Sequence, residues 1–418
     1  MDDRPVIIVG AGLAGLRCAG MLERHGVPWL LLESQDGPGG RVRTDYVEGF
    51  QLDRGFQVLL TAYPEARLAL DQDALDLRSF APGALIRQPN GFTRVSDPLR
   101  RPGATLSTLR APIGSLGDKL RVVRLRRRLR KGSLSDIWRR PERTTRDALA
   151  DYGFSSVMVE RFWRPLLGGI QLDRTLTTSS RMFDFVVRML ADGDAALPSA
   201  GIQAIPDQLT AALPPGRIRY GTTVVAVDSG GVWLEDGELV RGQAVVVATD
   251  GPTANRLIPA VPSPGSKRVG CLYFAAERPP VDVPYIVLNG EGFGVVNNLC
   301  VPSIVAPSYA PAGVSLISVT VLTPPAHPQV LEGAVRDQLR GWFGRRVDTW
   351  RLLRHYDIAH AQPDQRPPAL ASPQRPVEID SGIFCCGDHR DNASIDGALS
   401  SGRRTANALA ATLTHARR

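Results

Sequence analysis

The apolar positions change period several times along the chain. Val6-Ile7-Ile8-Val9 is an unbroken β-branched run, the pattern of a strand buried on both faces of a parallel sheet. It stops at Gly10-Ala11-Gly12-Leu13-Ala14-Gly15, after which Leu16, Ala19, Gly20 and Leu22 fall at helical spacing. A second apolar run, Pro28 to Leu32, ends on Glu33. The order strand, Gly-x-Gly-x-x-Gly, helix, strand, acid is the dinucleotide-binding pattern. In that pattern Gly10 makes the tight turn, Gly12 admits a pyrophosphate to the backbone, and Gly15 lets helix and strand close up. The helix N-terminus, with Leu13 and Ala14 in its first turn, offers free N–H groups to phosphate, and Glu33 is placed to accept from a ribose hydroxyl.

Further on, Ile218 to Val227 alternates like a strand. With Val232-Trp233-Leu234 and the Asp236-Gly237 turn it predicts a small antiparallel sheet, after which Ala244 to Thr249 returns to the main one. Residues 72 to about 200 read mostly helical and proline-punctuated. Strand-like runs reappear at Val269 to Phe274 and Val314 to Val319. Gly382 to Asp388 is an apolar strand running into Gly387-Asp388, and Arg403 to Ala410 is helical.

Two segments carry a family resemblance. Gly10 to Thr44, including Gly37-Pro38-Gly39-Gly40-Arg41-Val42-Arg43-Thr44, resembles the N-terminal fingerprint of the FAD-dependent amine oxidase, phytoene desaturase and protoporphyrinogen oxidase superfamily. Gly387-Asp388 followed by Ser394 to Gly402 is similar to its C-terminal flavin segment. The resemblance implies an α/β fold: a discontinuous Rossmann-like FAD-binding domain (1–71, 200–265 and 380–418) with an inserted α+β substrate domain (72–199 and 266–379). It implies that Gly39, Gly40, Arg41 and Arg43 line a noncovalent FAD. Gly387 and Asp388 would then hold its sugar chain, and Ile395, Asp396, Gly397 and Ala398 would face the ring edge. A valine backbone, Val224 or Val225, would read the adenine.

By the same resemblance Arg54, Gly55 and Gln57 of Leu52 to Leu60 lie beside the flavin. Arg54, Gln57 and Asp396 are the expected catalytic residues, with a structural ion pair as the competing reading of Arg54. Amine oxidases place a lysine in the strand here spanning Val269 to Phe274. Gly270 stands at the expected position and Lys267 lies three residues earlier. That departure, with a Phe162 to Ile170 segment similar to the desaturase branch, leads to an expected hydride transfer from a hydrophobic substrate, isoprenoids included, to flavin N5. Oxidation of a small amine and a redox-neutral isomerisation are the alternatives.

Composition adds little against this. The net charge of +8 comes from 50 basic and 42 acidic residues, and only Lys119, Lys131 and Lys267 are lysines. No nucleic-acid reader motif accompanies the arginines, so no nucleic-acid partner is expected. The five cysteines are odd in number and lack a Cys-x-x-Cys pair, which argues against metal and against a disulfide framework. With no apolar stretch long enough to span a bilayer, a cytoplasmic protein is expected. Residues 119–131 hold eight cations and five aliphatics. They predict a solvated helix face or a peripheral contact with anionic lipid.

Overall fold

A computed structural model of the chain describes residues 4–98, 100–325 and 327–416. Its central sheet has six strands in the spatial order 218–219, 29–32, 6–9, 244–247, 383–385, 378–380. Neighbours pair in parallel except the last strand, which closes the edge antiparallel. Val6–Val9 and Ala244–Val247 are buried at every position, as a strand covered on both faces requires.

Helices Leu13–Arg24 and Ile395–Ala416 lie together on one face of this sheet. Their approach is close enough that a Cβ on Gly402 would sit 2.2 Å from the Ala14 carbonyl oxygen. Buried charge joins them to a third element. Arg17 and Arg403 share the Glu65 carboxylate at 2.8 and 2.7 Å, fastening both helices to the short helix Pro64–Ala69.

The run expected as one strand over 218–227 is divided. Ile218–Arg219 joins the edge of the parallel sheet, and Val224–Asp228 pairs with 231–234 and 239–241 in a separate antiparallel sheet. The break is a turn at Gly221, with φ of +62°, whose flanking N–H groups bond the Gln35 and Glu33 carbonyls.

A seven-stranded sheet forms the second core, in the order 351–363, 266–276, 315–321, 296–300, 286–289, 83–88, 91–96. The hairpin 83–96 falls in a stretch that reads as mostly helical. Its burial alternates, with Ala84, Ile86 and Gln88 inward, but its hydropathy does not, because Gln88 is polar and Leu85 packs apolar against the core on the other face. Along Ser266–Ala276 the two faces separate cleanly. Leu272 and Phe274 pack beneath the helix Pro328–Phe343, whereas Cys271, Tyr273 and Ala275 pack with Phe50, Leu52 and Phe56.

Candidate functional site

The two ends of the chain converge on the C-terminal edge of the parallel sheet, where open α/β sheets bind ligands. Gly10 takes a φ of +105° as the first strand ends. Gly15 lies against it so tightly that an added Cβ would sit 2.0 Å from the Gly10 carbonyl oxygen. Gly12 differs from both. It stands at the N-cap of Leu13–Arg24 with no side-chain cap, and the position of its missing Cβ faces open space. Gly12 also bridges to Gly39, and a Cβ on Gly40 would come 3.6 Å from the Gly12 Cα. The result is a cradle of backbone with uncapped N–H groups at its floor, the arrangement that receives a phosphate.

Glu33 is buried at the end of the neighbouring strand. Its carboxylate accepts from the Ala11 N–H at 2.6 Å and the Gln35 N–H at 2.9 Å. It therefore braces the glycine turn as well as standing at the ribose position. Arg41 spans the gap between the chain ends, giving a 2.8 Å ion pair to Asp388 and a 3.1 Å hydrogen bond to the Ala361 carbonyl oxygen. Burial works to raise the Asp388 pKa, but the Arg41 guanidinium overrides it and holds the carboxyl below its ordinary value. Gly387 donates its N–H to Ser401 Oγ at 2.9 Å, tying this loop to the C-terminal helix. Arg43 turns the other way, to Asp36 and Gln35.

Uncapped helix N–H groups, open space over Gly12, an acid on the second strand and an anchored Arg41 are the donor set a flavin dinucleotide needs, so these residues fit that cofactor. Val224 is buried, and Val225 is half exposed where the pairing register shifts. Both lie just beyond Thr222, whose N–H bonds the Glu33 carbonyl.

The residues expected at the ring are held as follows. Gln57 donates to the Arg41 carbonyl at 2.8 Å and the Arg54 carbonyl at 3.2 Å, so it braces the cofactor loop. Gly55 packs against Ile358, which a Cβ there would meet at 2.7 Å. Arg54 is paired with Asp45 at 2.9 Å, and Asp45 also accepts from Tyr356 and Arg354. The structural ion pair is thus what the guanidinium makes. Asp396, expected at the ring edge, has its carboxylate engaged by a neighbouring helix. Its Oδ1 accepts from the Glu65 N–H at 2.7 Å and the Ala66 N–H at 3.4 Å, capping the helix Pro64–Ala69. That helix has no side-chain cap of its own at Tyr63, and a carboxylate one turn into the C-terminal helix fills the need. Burial raises the Asp396 pKa to about 6. The start of that helix is satisfied by Ser394, whose Oγ accepts from the Gly397 N–H.

Gly270 is not the strand position that faces the cofactor domain. A Cβ there would point at Pro324 and Leu331, under the helix. The face shared with Phe56 carries Cys271 and Tyr273, and the same alternation reaches back to Lys267. Lys267 is held at 3.5 Å from Asp364 and 3.9 Å from Asp173. Asp173 takes hydrogen bonds from Thr175, Thr177 and Thr178, which with Lys267 hold it ionised against its burial. Sequence reading missed this cluster because its carboxylates, Asp173 and Asp364, lie about a hundred residues away on either side of Lys267. The scarcity of lysine, three in the chain, is the signal that points to it.

Behind the ring-side loop, Asp53 is buried and accepts from Thr44 at 2.7 Å, Ile202 N–H at 3.0 Å and Tyr309 at 2.9 Å. Burial outweighs these donors and raises its pKa to about 6.

Comparison with known proteins agrees with this geometry. The family described as flavin containing amine oxidoreductase matches residues 13–410. The chain belongs to that family. It is 43% identical over 56 residues to a lycopene-forming phytoene desaturase of Pantoea ananas, 13% of this chain and 11% of that protein. It is 27% identical over 249 residues to coproporphyrinogen III oxidase of Mycobacterium tuberculosis, 59% of this chain and 52% of that protein. It is 28% identical over 285 residues to a zeta-carotene-forming phytoene desaturase of Myxococcus xanthus, 60% of this chain and 54% of that protein. The matches therefore span about half the length of the last two relatives and about a tenth of the first. The fold is shared with an oxidoreductase of Methanosarcina mazei, at a TM-score of 0.76, 18% identity and 96% and 100% coverage of the two chains. A putrescine oxidase bound to putrescine matches at a TM-score of 0.72 and 17% identity, with 98% and 99% coverage.

Proposed function

We propose that this chain is an FAD-dependent oxidoreductase that removes hydride from a C–H bond of a hydrophobic substrate, with the FAD held noncovalently. The observation that carries the cofactor reading is the closure of the cradle. Gly12 and Gly40 bring the N-terminal turns together, and Arg41 locks them to Asp388 from the far end of the chain. Bound there, the flavin would supply a two-electron acceptor.

The chain's own residues do the rest. Gly10, Gly12 and the first turn of Leu13–Arg24 would hold the pyrophosphate, Glu33 the ribose, Asp388 with Arg41 the sugar chain, and the backbone at Val224 or Val225 the adenine. Gln57 and Gly55 would keep the loop beside the ring fixed, and Arg54, anchored on Asp45, would present a positive edge to it. Between this loop and the sheet, the partly exposed rings of Phe56 and Tyr356 pack in one cluster with buried Tyr273, Tyr273 and Tyr356 being edge to face with centroids 6.0 Å apart. The exposed ring faces would help hold a substrate C–H bond in one orientation. The phytoene desaturases among the relatives support the hydrophobic substrate class.

A second reading, oxidation of a small amine, is favoured by Lys267, because it stands on the site-facing side of its strand and lies between Asp173 and Asp364. Anaerobic mixing of the yellow protein with a polyene or with a small amine separates the two. Loss of flavin absorbance with the polyene and none with the amine is expected. The reverse establishes amine oxidation, and activity only after prior reduction of the flavin points to a redox-neutral isomerase.

A further inference from the structure

The basic stretch folds as a 15-residue helix, Leu116–Arg130, and its inward side is fully accounted for. Leu125 and Leu129 are buried in the helical core, and Asp118 accepts from Ser115 and Ser155. The outward side is not what burial alone would select. Leu116 and Leu120 are 63% and 57% exposed, and Arg124 and Arg127 continue the same ridge at helical spacing. The preceding helix, Thr105–Arg110, adds Leu106 and Leu109, 57% and 41% exposed. Lys119 ties the end of that helix to this one by donating to the Leu109 and Ala111 carbonyls at 2.6 and 2.7 Å. Cations lower on the helix are neutralised, Arg126 by Asp97 and Arg130 by Asp192. No carboxylate pairs with Arg124 or Arg127 among the described residues.

A cluster of solvent-facing leucines bordered by uncompensated arginines costs free energy in water, and it matches the two-part chemistry of an anionic membrane surface. No helix among the described residues is long and apolar enough to cross a bilayer, so contact would be made at the interface. We propose that the ridge Leu116-Leu120-Arg124-Arg127, with Leu106 and Leu109, seats the protein on the headgroup layer of an anionic lipid membrane. The leucines enter the acyl boundary while the arginines meet lipid phosphate. The arginines confer preference for negative charge, and the leucines keep the contact when salt screens it.

The test is sedimentation of the full-length, flavin-loaded protein with vesicles of phosphatidylcholine alone or of an equimolar phosphatidylcholine–phosphatidylglycerol mixture. Strong binding to the anionic vesicles is expected, weakened but not abolished by high salt. Arg124→Ala/Arg127→Ala should weaken it by about thirtyfold, since each cation near such a surface contributes about a factor of five. Leu116→Ser/Leu120→Ser should weaken it by about tenfold or more while removing the salt-resistant part. Arg241→Ala, an exposed cation outside the ridge, should leave it unchanged. All of these side chains are exposed, so flavin absorbance and thermal unfolding should match the parent protein, and either double variant suffices alone if the other fails that check. Equal binding to both vesicle types, no binding to either, or unchanged binding in both double variants overturns the proposal. So does retention on RNA that competes vesicles away, or a leucine-dependent self-association that leaves no membrane binding.

Discussion

Gly12 and Gly15 belong to one motif, yet the structure assigns them opposite duties, and alanine at each position separates folding from cofactor binding. At Gly12 the backbone is an ordinary extended conformation, with φ −70° and ψ 175°, and a Cβ meets nothing within 4 Å. Gly12→Ala should therefore change the stability of the flavin-free protein by no more than about 1 kcal/mol, the usual difference between glycine and alanine at an N-cap. The methyl group would stand where a phosphate must approach the helix N–H groups. Losing one charge-assisted hydrogen bond, at about 2 kcal/mol, weakens binding about thirtyfold, and losing two weakens it about a thousandfold. At Gly15 the order reverses. The added carbon would sit 2.0 Å from the Gly10 carbonyl oxygen, so strand and helix must separate. Overpacking of backbone against backbone should cost about 2 kcal/mol or more in the flavin-free protein itself. Denaturant unfolding of the flavin-free forms, followed by circular dichroism, reads the first quantity, and flavin fluorescence titration reads the second. A Gly12→Ala protein that binds FAD as tightly as the parent would refute the assignment of this cradle to the cofactor. One that unfolds as badly as Gly15→Ala would refute the open space above Gly12.

Two further predictions concern buried carboxylates. Asp53 has its pKa raised from 3.8 to about 6, so the native state holds a proton that the unfolded chain has already released over that interval. Its contribution is complete below about pH 4 and is lost as pH rises through about 6, a span of about 3 kcal/mol. In Asp53→Asn that loss should vanish, so the stability difference between variant and parent should move in the variant's favour between pH 4 and pH 7 in denaturant titrations; parallel profiles would show that Asp53 does not titrate as described. Asp396→Ala removes the cap on Glu65 and Ala66 and should lower stability by about 1 kcal/mol with flavin affinity unchanged. Loss of flavin at unaltered stability would return Asp396 to the ring.

How far the sequence could be read depended on whether a position's role was local. Val6–Val9, the glycine turn and Glu33 are legible because strand burial, tight turning and ribose recognition each demand a residue type at a fixed offset. The capping role of Asp396 was illegible for the opposite reason. Nothing within its own helix reveals that a helix some 330 positions away lacks a cap. Lys267 shows the same limit in a strand. Period-two alternation places Gly270 and Lys267 on opposite faces, but which face meets the cofactor is decided by packing of 328–343 on one side and of Phe50, Leu52 and Phe56 on the other. Arg54 was legible only as a charge in the right loop. Its partner Asp45 lies on the opposing strand of the 44–53 hairpin, and Asp45 is shared with Arg354 and Tyr356 from the second domain. Asp45 is thus gripped both by Arg54 at the end of its own hairpin and by two side chains of the strand 351–363, a convergence that no offset within the hairpin sequence announces.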